Sequence, residues 1–438
     1  MTDPLSVLDA AREVPDRIAI ETASRSVTFA GCAAAIADGR HGGEPVGALV
    51  ATPSIDTVLA VHAALAARRP IALIHHRLTA GETARQRDLI AATPLPPDAA
   101  AVLFTSGSTG AARGVVLSRG ALIAAADASA RHLGWRDDDR WLVALSLAHA
   151  GGLSIVVRCL AARRPIALCD GEFDRGAVAA QLERCTLASL VPTQLAALLD
   201  DPAWRPPPRL RAVLLGGAAA PPALLALAAA RGVPFLTTYG MTESLGQLAT
   251  APPDRAGDPG APLVALPGVA FDAGTAAAPA PITVRAAMLA TCYLDGAPIA
   301  PAFTTADLGF VADGALHVAG RRDDVIITGG ENVHPAAVEA ALAATPGVRA
   351  ACAFGIPDQR WGQIVGAALV VDAAFDAAAA AAHWRAALPG HARPRRIAIC
   401  AALPVLPSGK VDRRAAAALP AASVDYPRIA APARALRE

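Results

Sequence analysis

The chain has 438 residues, more than one ordinary domain holds, so two or three domains are expected. Hydrophobic residues make up 54% and aromatics 4%, which excludes global disorder and points to a core of Ala, Val, Leu and Ile. With 39 basic against 38 acidic residues the net charge is +1, so neither nucleic acid nor an anionic membrane is expected as a partner.

The N-terminal stretch "MTDPLSVLDAAREVPDRIAI" carries acids early and lacks an apolar signal core. Short apolar runs then alternate with alanine-rich helical stretches: "VGALVATPS", "PIALIHH", "AAVLFTS", "WLVALSLA", "PIALCD", "LASLVPT", "RAVLLGG" and "VPFLTTYG". Several end on the C-terminal side in Gly, Thr, Ser or His. This pattern predicts sheets flanked by helices, with ligands at the carboxyl ends of strands. The longest uncharged run, between Arg211 and Arg231, contains Gly216, Gly217, Pro221 and Pro222 and is a poor membrane span. Seven cysteines, at 32, 159, 169, 185, 292, 352 and 400, form no Cys-x-x-Cys pair. An odd, scattered set favours a reducing cytoplasm over a disulfide framework or structural zinc.

One stretch stands out, "LFTSGSTGAARGVVLS" from Leu103 to Ser118. Thr105, Ser106, Ser108 and Thr109 sit among Gly107, Gly110 and Gly114, with Arg113 close behind. Glycine lets backbone N–H groups approach, hydroxyls donate and arginine adds charge, a recipe for holding a polyanion. The plain alternative is a polar turn. The Walker A pattern is absent. The preceding run reads as a buried strand, and "VVLSRGALIAAADASARHLG" as a strand end followed by a helix, so strand, glycine loop and helix are expected in succession.

From about Ala251 to Pro301, Pro and Gly become frequent, and "ITVRAAMLATCYL" predicts short strands of a small β region. "GALHVAGRRDDVIITGG" reads as a hairpin around a polar corner, and "HPAAVEAALAATPGV" as a helix with Pro335 near its start. A boundary near Arg322 to Asp324 gives domains 1–322 and 323–438. The fold class is α/β: a large N-terminal domain of helix-flanked sheets plus a small β region, then a small α+β C-terminal domain.

Five motifs occur in order: the glycine loop, "TTYGMTES" (Thr237 to Ser244), "TTADLG" (Thr304 to Gly309), "GRRDDVIITGGENVHP" (Gly320 to Pro335) and "LPSGKVDRR" (Leu406 to Arg414). Together they resemble the adenylate-forming superfamily, which includes acyl-CoA synthetases, peptide-synthetase adenylation domains and luciferases. The resemblance implies ATP, Mg2+ and a thiol acceptor. It implies that the first domain binds ATP and the acid, and that the small domain is mobile and carries the catalytic lysine.

Carried over to this chain, the resemblance assigns ATP and AMP binding to Thr105, Ser106, Gly107, Ser108, Thr109, Gly110, Arg113, Gly217, Tyr239, Gly240, Thr242, Asp307 and Arg321. Tyr239 suits stacking on adenine. Asp307 suits the ribose hydroxyls, with Arg321 in support. Glu243 becomes the magnesium ligand, a hard oxygen for a hard cation. Thr242, Glu243 and Lys410 form the catalytic set, and Lys410 meets charge growing between the acid and the α-phosphate. The plain alternatives are a core tyrosine, a surface carboxylate, an ordinary Asp–Arg pair and a solvated lysine. Three positions depart from the pattern: Ala112 and Arg113 stand where Pro-Lys-Gly has proline and lysine, and Ala306 replaces the glycine of Thr-Gly-Asp, tolerable unless that position needs positive φ.

"LSLAHAGGLSIVVRCL", "SLVPTQLAALL" and "LLGGAAAPPALL" are similar to the 2-succinylbenzoate–CoA ligases of menaquinone biosynthesis. "ITGGENVHP" and "DQRWGQ" are similar to benzoate-type CoA ligases. The likeness implies an aromatic acid in a pocket lined by His149, Gly151, Gly152, Gly216, Gly217 and Thr238. There the glycines give room for a flat ring, and His149 or Arg158 faces a second carboxylate. As a plain alternative, His149 is a core or gating histidine. CoA is expected against Gly329, Gly330 and Trp361, with a hinge at Asp323. A stand-alone enzyme loading an aryl acid onto an acyl-carrier protein is the rival, and a non-catalytic nucleotide-binding paralogue a further one. A monomer or homodimer is expected.

Overall fold

The structure, a computed structural model, describes residues 2–38, 47–105, 113–406 and 410–424. The chain forms two compact units, and the break falls inside the strand Ala315–Arg321, between Val318 and Ala319.

The first unit is built on two sheets. All eight apolar runs carry strands, among them Gly47–Ala51, Ile71–His75, Ala99–Thr105, Trp141–Val143, Ile166–Leu168, Leu187–Leu190, Ala212–Leu215 and Phe235–Met241. Several are buried at every position, including Ile71–His75, Leu187–Leu190 and Ala212–Leu215. Such strands are covered on both faces, which is why they read as continuous apolar runs without alternation. The larger sheet has 13 strands. Its parallel part runs through Ile166–Leu168, Trp141–Val143, Leu187–Leu190, Ala212–Leu215 and Phe235–Met241. It continues antiparallel into Gly246–Thr250 and Leu263–Ala265. The second sheet has five strands, ordered Cys292–Tyr293, Arg113–Ser118, Ala99–Thr105, Ile71–His75 and Gly47–Ala51. Helices Arg119–Leu133 and Ala150–Ala162 share one apolar core with strands of both sheets, through residues such as Leu122, Ala125, Leu153 and Ile155. Trp141 and Phe235 are among the largest fully buried side chains.

Two local expectations are corrected. The glycine loop does not lead directly into a helix. Ala99–Thr105 and Arg113–Ser118 form an antiparallel pair with Thr105 opposite Arg113. Helix Arg119–Leu133 starts only after that second strand, and Ser118 Oγ accepts from Ala121 N at 3.1 Å to cap it. The helix N-terminus therefore lies about 20 Å of strand away from Thr105 and Arg113, the ends of the loop. The "GALHVAGRRDDVIITGG" segment is not a hairpin. Ala315–Arg321 pairs with Leu263–Ala265, whereas Ile326–Thr328 pairs with Glu331–Val333 and Gly362–Val371 in another sheet. The polar corner is a short 3-10 turn, Arg322–Asp324, that passes the chain from one sheet to the next. "ITVRAAMLATCYL" does give short strands, Ala280–Ala286 in the larger sheet and Cys292–Tyr293 in the smaller.

The second unit carries a six-stranded sheet centred on the long hairpin Val348–Asp358 with Gly362–Val371. Pro335 opens the helix Pro335–Ala343 at its first turn, where a missing N–H costs nothing. The core gathers round Trp384, whose Nε1 donates to Thr345 Oγ1 at 2.7 Å, with Val338, Leu342, Val365 and Leu369.

Candidate active site

The polar ends of the central strands meet in the first unit. Phe235–Met241 presents Tyr239, whose hydroxyl donates to Asp307 Oδ2 at 2.8 Å. Asp307 lies within the strand Ala302–Ala312 and is fixed in turn by its own N–H donating to Thr305 Oγ1 at 3.0 Å. Ala306 sits in the same strand and is absent from the residues with positive φ, so alanine is unstrained there. At Gly240 a Cβ would come within 1.7 Å of Gly246 O, so this position must be glycine for the two strands to touch. Thr238 Oγ1 lies 2.8 Å from Thr250 Oγ1 and donates to Ala249 O at 3.1 Å.

The next turn, Thr242–Ser244, is a single 3-10 turn closed by Leu245 N donating to Thr242 O at 3.1 Å. It projects Glu243. The Tyr293 hydroxyl donates to Glu243 Oε1 at 2.7 Å, and Ala290 N donates to Glu243 O at 2.7 Å. Burial, and then the neighbouring Glu243 charge, push the Tyr293 hydroxyl well above its ordinary range, so it stays a donor. The Arg113 guanidinium lies 3.6 Å over the Tyr293 ring and pairs with Asp295 at 2.8 Å. Thr105 Oγ1 donates to Arg113 O at 3.4 Å. Ser106, Gly107, Ser108, Thr109 and Gly110 lie outside the described residues.

Among the described residues no group of three or more His, Cys, Asp or Glu is placed to hold a metal. Glu243 nonetheless fits magnesium. Tyr293 engages only Oε1, and one carboxylate oxygen is what Mg2+ takes from protein when phosphates and water complete its shell.

Helix Ala150–Ala162 carries the acyl-pocket candidates. It starts at His149, whose ring lies 4.8 Å from that of His75, which stacks on His76 at 4.7 Å. His75 is buried, and desolvation together with its histidine neighbours pulls it down to about 3, so it is neutral. Gly152 has a reason other than room for a ring: a Cβ there would lie 2.2 Å from Ser146 O, the backbone leading into the helix. A Cβ on Gly216 would meet Thr238 Cγ2 at 2.6 Å, and Gly217 has φ of 80°.

Arg158 lies two turns into this helix. It is 3% exposed, its Nε is buried without a hydrogen-bond partner, and its guanidinium carbon lies 5.5 Å from the Trp141 ring centroid. Burial pulls it down to about 10, and among the described residues no carboxylate offsets that penalty. A guanidinium is still cationic at neutral pH. A buried unpaired cation is costly, so the chemistry of this position asks for an anion.

In the second unit, Gly329 N donates to Trp361 O at 2.9 Å, and a Cβ on Gly329, whose φ is 61°, would lie 2.8 Å from Trp361 Cε3. Gly330 follows with φ of 86°. Trp361 stands 47% exposed on the hairpin turn, held by its N–H donating to Asp358 Oδ1 at 2.9 Å, with Arg360 5.0 Å from its ring centroid. Arg321 pairs with Asp323 at 3.2 Å within the linking segment. Lys410 is exposed, and its carbonyl accepts from Leu406 N at 2.7 Å.

Three contributors escape sequence reasoning: Tyr293, Asp295 and His75. Tyr293 comes from the edge strand of the other sheet, and nothing in "CYLDG" announces a partner 50 residues upstream. The doubled histidine of "IHHRLT" was the one available signal for His75.

Residues 85–272 match the AMP-binding enzyme family and residues 337–410 match the AMP-binding enzyme C-terminal domain. The chain belongs to the AMP-binding enzyme family. It is 33% identical to the 2-succinylbenzoate–CoA ligase of Listeria monocytogenes over 72% of this chain and 69% of that one. It is 36% identical to the 2-succinylbenzoate–CoA ligase of Bacillus licheniformis over 64% of this chain and 61% of that one. Its structure resembles that of o-succinylbenzoate CoA synthetase from Bacillus subtilis in complex with the acyl-adenylate intermediate. The TM-score there is 0.81 at 27% identity, covering 94% of this chain and 98% of that one. The same Bacillus subtilis enzyme, in complex with ATP and magnesium, matches at TM-score 0.79 and 27% identity, with the same 94% and 98% coverage. Among the described residues no helix is long and apolar enough to cross a membrane.

Proposed function

We propose that this chain is an ATP-dependent acid–CoA ligase acting through an acyl-adenylate, and that its acid is an aromatic dicarboxylate of the 2-succinylbenzoate type. The single observation that carries the choice of acid is Arg158, a buried guanidinium without a carboxylate partner among the described residues, on the helix that carries the acyl-pocket candidates. A monocarboxylate would leave that charge unmatched once its one carboxyl group is at the reacting centre. A second carboxylate on a side chain matches it.

In the first half-reaction a carboxylate oxygen of the acid attacks the α-phosphorus of ATP. That P–O bond forms as the bond to the bridging oxygen breaks, and pyrophosphate leaves with the electron pair. Tyr239 and Asp307, already tied together, hold the adenosine. Arg113 meets the phosphates. Glu243 would hold magnesium, which screens the triphosphate charge. Lys410 offsets charge between the carboxylate and the α-phosphate. In the second half-reaction the CoA thiolate attacks the acyl carbon, and AMP leaves. Gly329, Gly330 and Trp361 form the surface we assign to CoA, and they support CoA over a carrier protein as acceptor. The segment round Asp323 is assigned as the hinge that presents Lys410 and the glycine pair in turn. A reducing cytoplasm fits an enzyme whose seven cysteines are all free thiols.

The test is pyrophosphate release from a panel of acids, with CoA and with a holo-carrier protein. The diacid is expected to exceed benzoate by at least about a hundredfold in kcat/KM, the value of one buried ion pair. Equal rates for diacid and monoacid would overturn the choice of acid. Thioester formation with the carrier alone would overturn CoA.

A further inference from the structure

Tyr293 links two side chains of the nucleotide region. Its hydroxyl reaches Glu243 Oε1 at 2.7 Å, and its ring face carries the Arg113 guanidinium at 3.6 Å. Asp295, two residues on, holds the same guanidinium at 2.8 Å. Tyr293 itself is 7% exposed, whereas Arg113 and Asp295 are 43% and 57% exposed at the side chain. The ring is thus fixed in the core while the cation on it faces outward. Its strand, Cys292–Tyr293, pairs with Arg113–Ser118, so the tyrosine and the arginine are held in register by backbone hydrogen bonds. The Glu243 turn is tied to the same segment by Ala290 N.

We propose that Tyr293 is a positioning residue for adenylation, which aims one oxygen of Glu243 and seats Arg113 so that a carboxylate and a cation face the triphosphate at a set separation. This rests on the assignment of the chain as an ATP-using ligase. With Oε1 engaged by the hydroxyl, the carboxylate can turn only its other oxygen to a hard cation. With its flat face on the ring, the guanidinium keeps its edge N–H groups for oxygen acceptors. Asp295 occupies those donors until a phosphate, a stronger anion, replaces it.

Two variants separate the two functions of the ring. Tyr293→Phe keeps the seat of Arg113 and removes the tie to Glu243. It is expected to weaken Mn2+ binding to the enzyme–ATP complex, read by electron paramagnetic resonance, roughly five- to tenfold, the size of one charge-assisted hydrogen bond. ATP binding without metal should stay within about twofold. Tyr293→Leu removes both and should also weaken metal-free ATP binding, by as much as Arg113→Ala does. Adding Arg113→Ala to Tyr293→Leu should then change little. All these readings are made on the full chain without acid or CoA, so they stand whichever acid is the substrate. An enzyme that binds no ATP would overturn the ligase assignment itself. Tyr293→Phe with unaltered Mn2+ affinity would overturn the positioning of Glu243. Additive losses in the Tyr293→Leu, Arg113→Ala pair would overturn the seat.

Discussion

Arg158 has no carboxylate partner among the described residues, and that gives it the clearest test of any single residue. Arg158→Leu removes a buried cation and leaves a helix packed on all sides. Stability is therefore expected to hold or rise slightly. KM for 2-succinylbenzoate should rise at least about a hundredfold, while KM for ATP stays put. Arg158→Lys should recover only part, because an ammonium cannot present the planar fork. Steady-state kinetics with varied acid and varied ATP would check this, and a rise in both KM values would contradict it. The polar residues of this region were legible because hydroxyls, glycines and isolated charges are conspicuous in an alanine-rich chain. Their partnerships were not. Tyr239 with Asp307, and Glu243 with Tyr293, are joined across 68 and 50 residues, a separation that no short-range pattern records.

At the scale of elements, strands buried on both faces announced themselves as apolar runs, and each of the eight runs holds one. Partner choice was hidden. Ala315–Arg321 and Ile326–Thr328 look like two arms of a hairpin because both are apolar and a polar corner joins them, yet each pairs elsewhere. Gly152 shows the same limit. The residue type suggested space for a ligand, whereas the structure shows a backbone carbonyl 2.2 Å from where a Cβ would lie. Gly152→Ala should accordingly cost about 2–3 kcal/mol, since the clash is with main chain that cannot swing away. Urea unfolding would read it. No change in midpoint would mean that the helix start relaxes freely. Helix Ile55–Ala66 carries a second testable burden in His62, which is 3% exposed, with Nδ1 buried and without a partner. Burial lowers it from 6.5 to about 4. Between those values the unfolded chain binds the proton and the folded chain does not, so stability falls as pH drops from 6.5 toward 4. The loss from this group should reach about 2 kcal/mol near pH 5, and His62→Leu should remove that share of the slope while the share of His75 remains. An unchanged pH dependence in the variant would contradict it.

For the whole molecule, two units that part between Val318 and Ala319, a few residues before the polar turn Arg322–Asp324, accord with a division of labour that we assign to the two half-reactions. Lys410→Ala should cut pyrophosphate release roughly 10²–10³-fold, as the loss of one well-placed charge donor does. Thioester formation from a synthetic acyl-adenylate should be spared. Asp323→Pro, which stiffens the linking turn, should spare adenylation and lose thiolysis. If both variants slowed both half-reactions equally, the alternation of units would be wrong. The most direct measurement follows an oxygen atom. With 2-succinylbenzoate labelled with 18O in its reacting carboxyl group, ATP, Mg2+ and CoA, attack on the α-phosphorus transfers one labelled oxygen to AMP as the thioester forms. The expected result is AMP carrying a single 18O, unlabelled pyrophosphate and one acyl-CoA per AMP. Unlabelled AMP, or AMP released without a CoA thioester, would contradict a ligase that works through an acyl-adenylate.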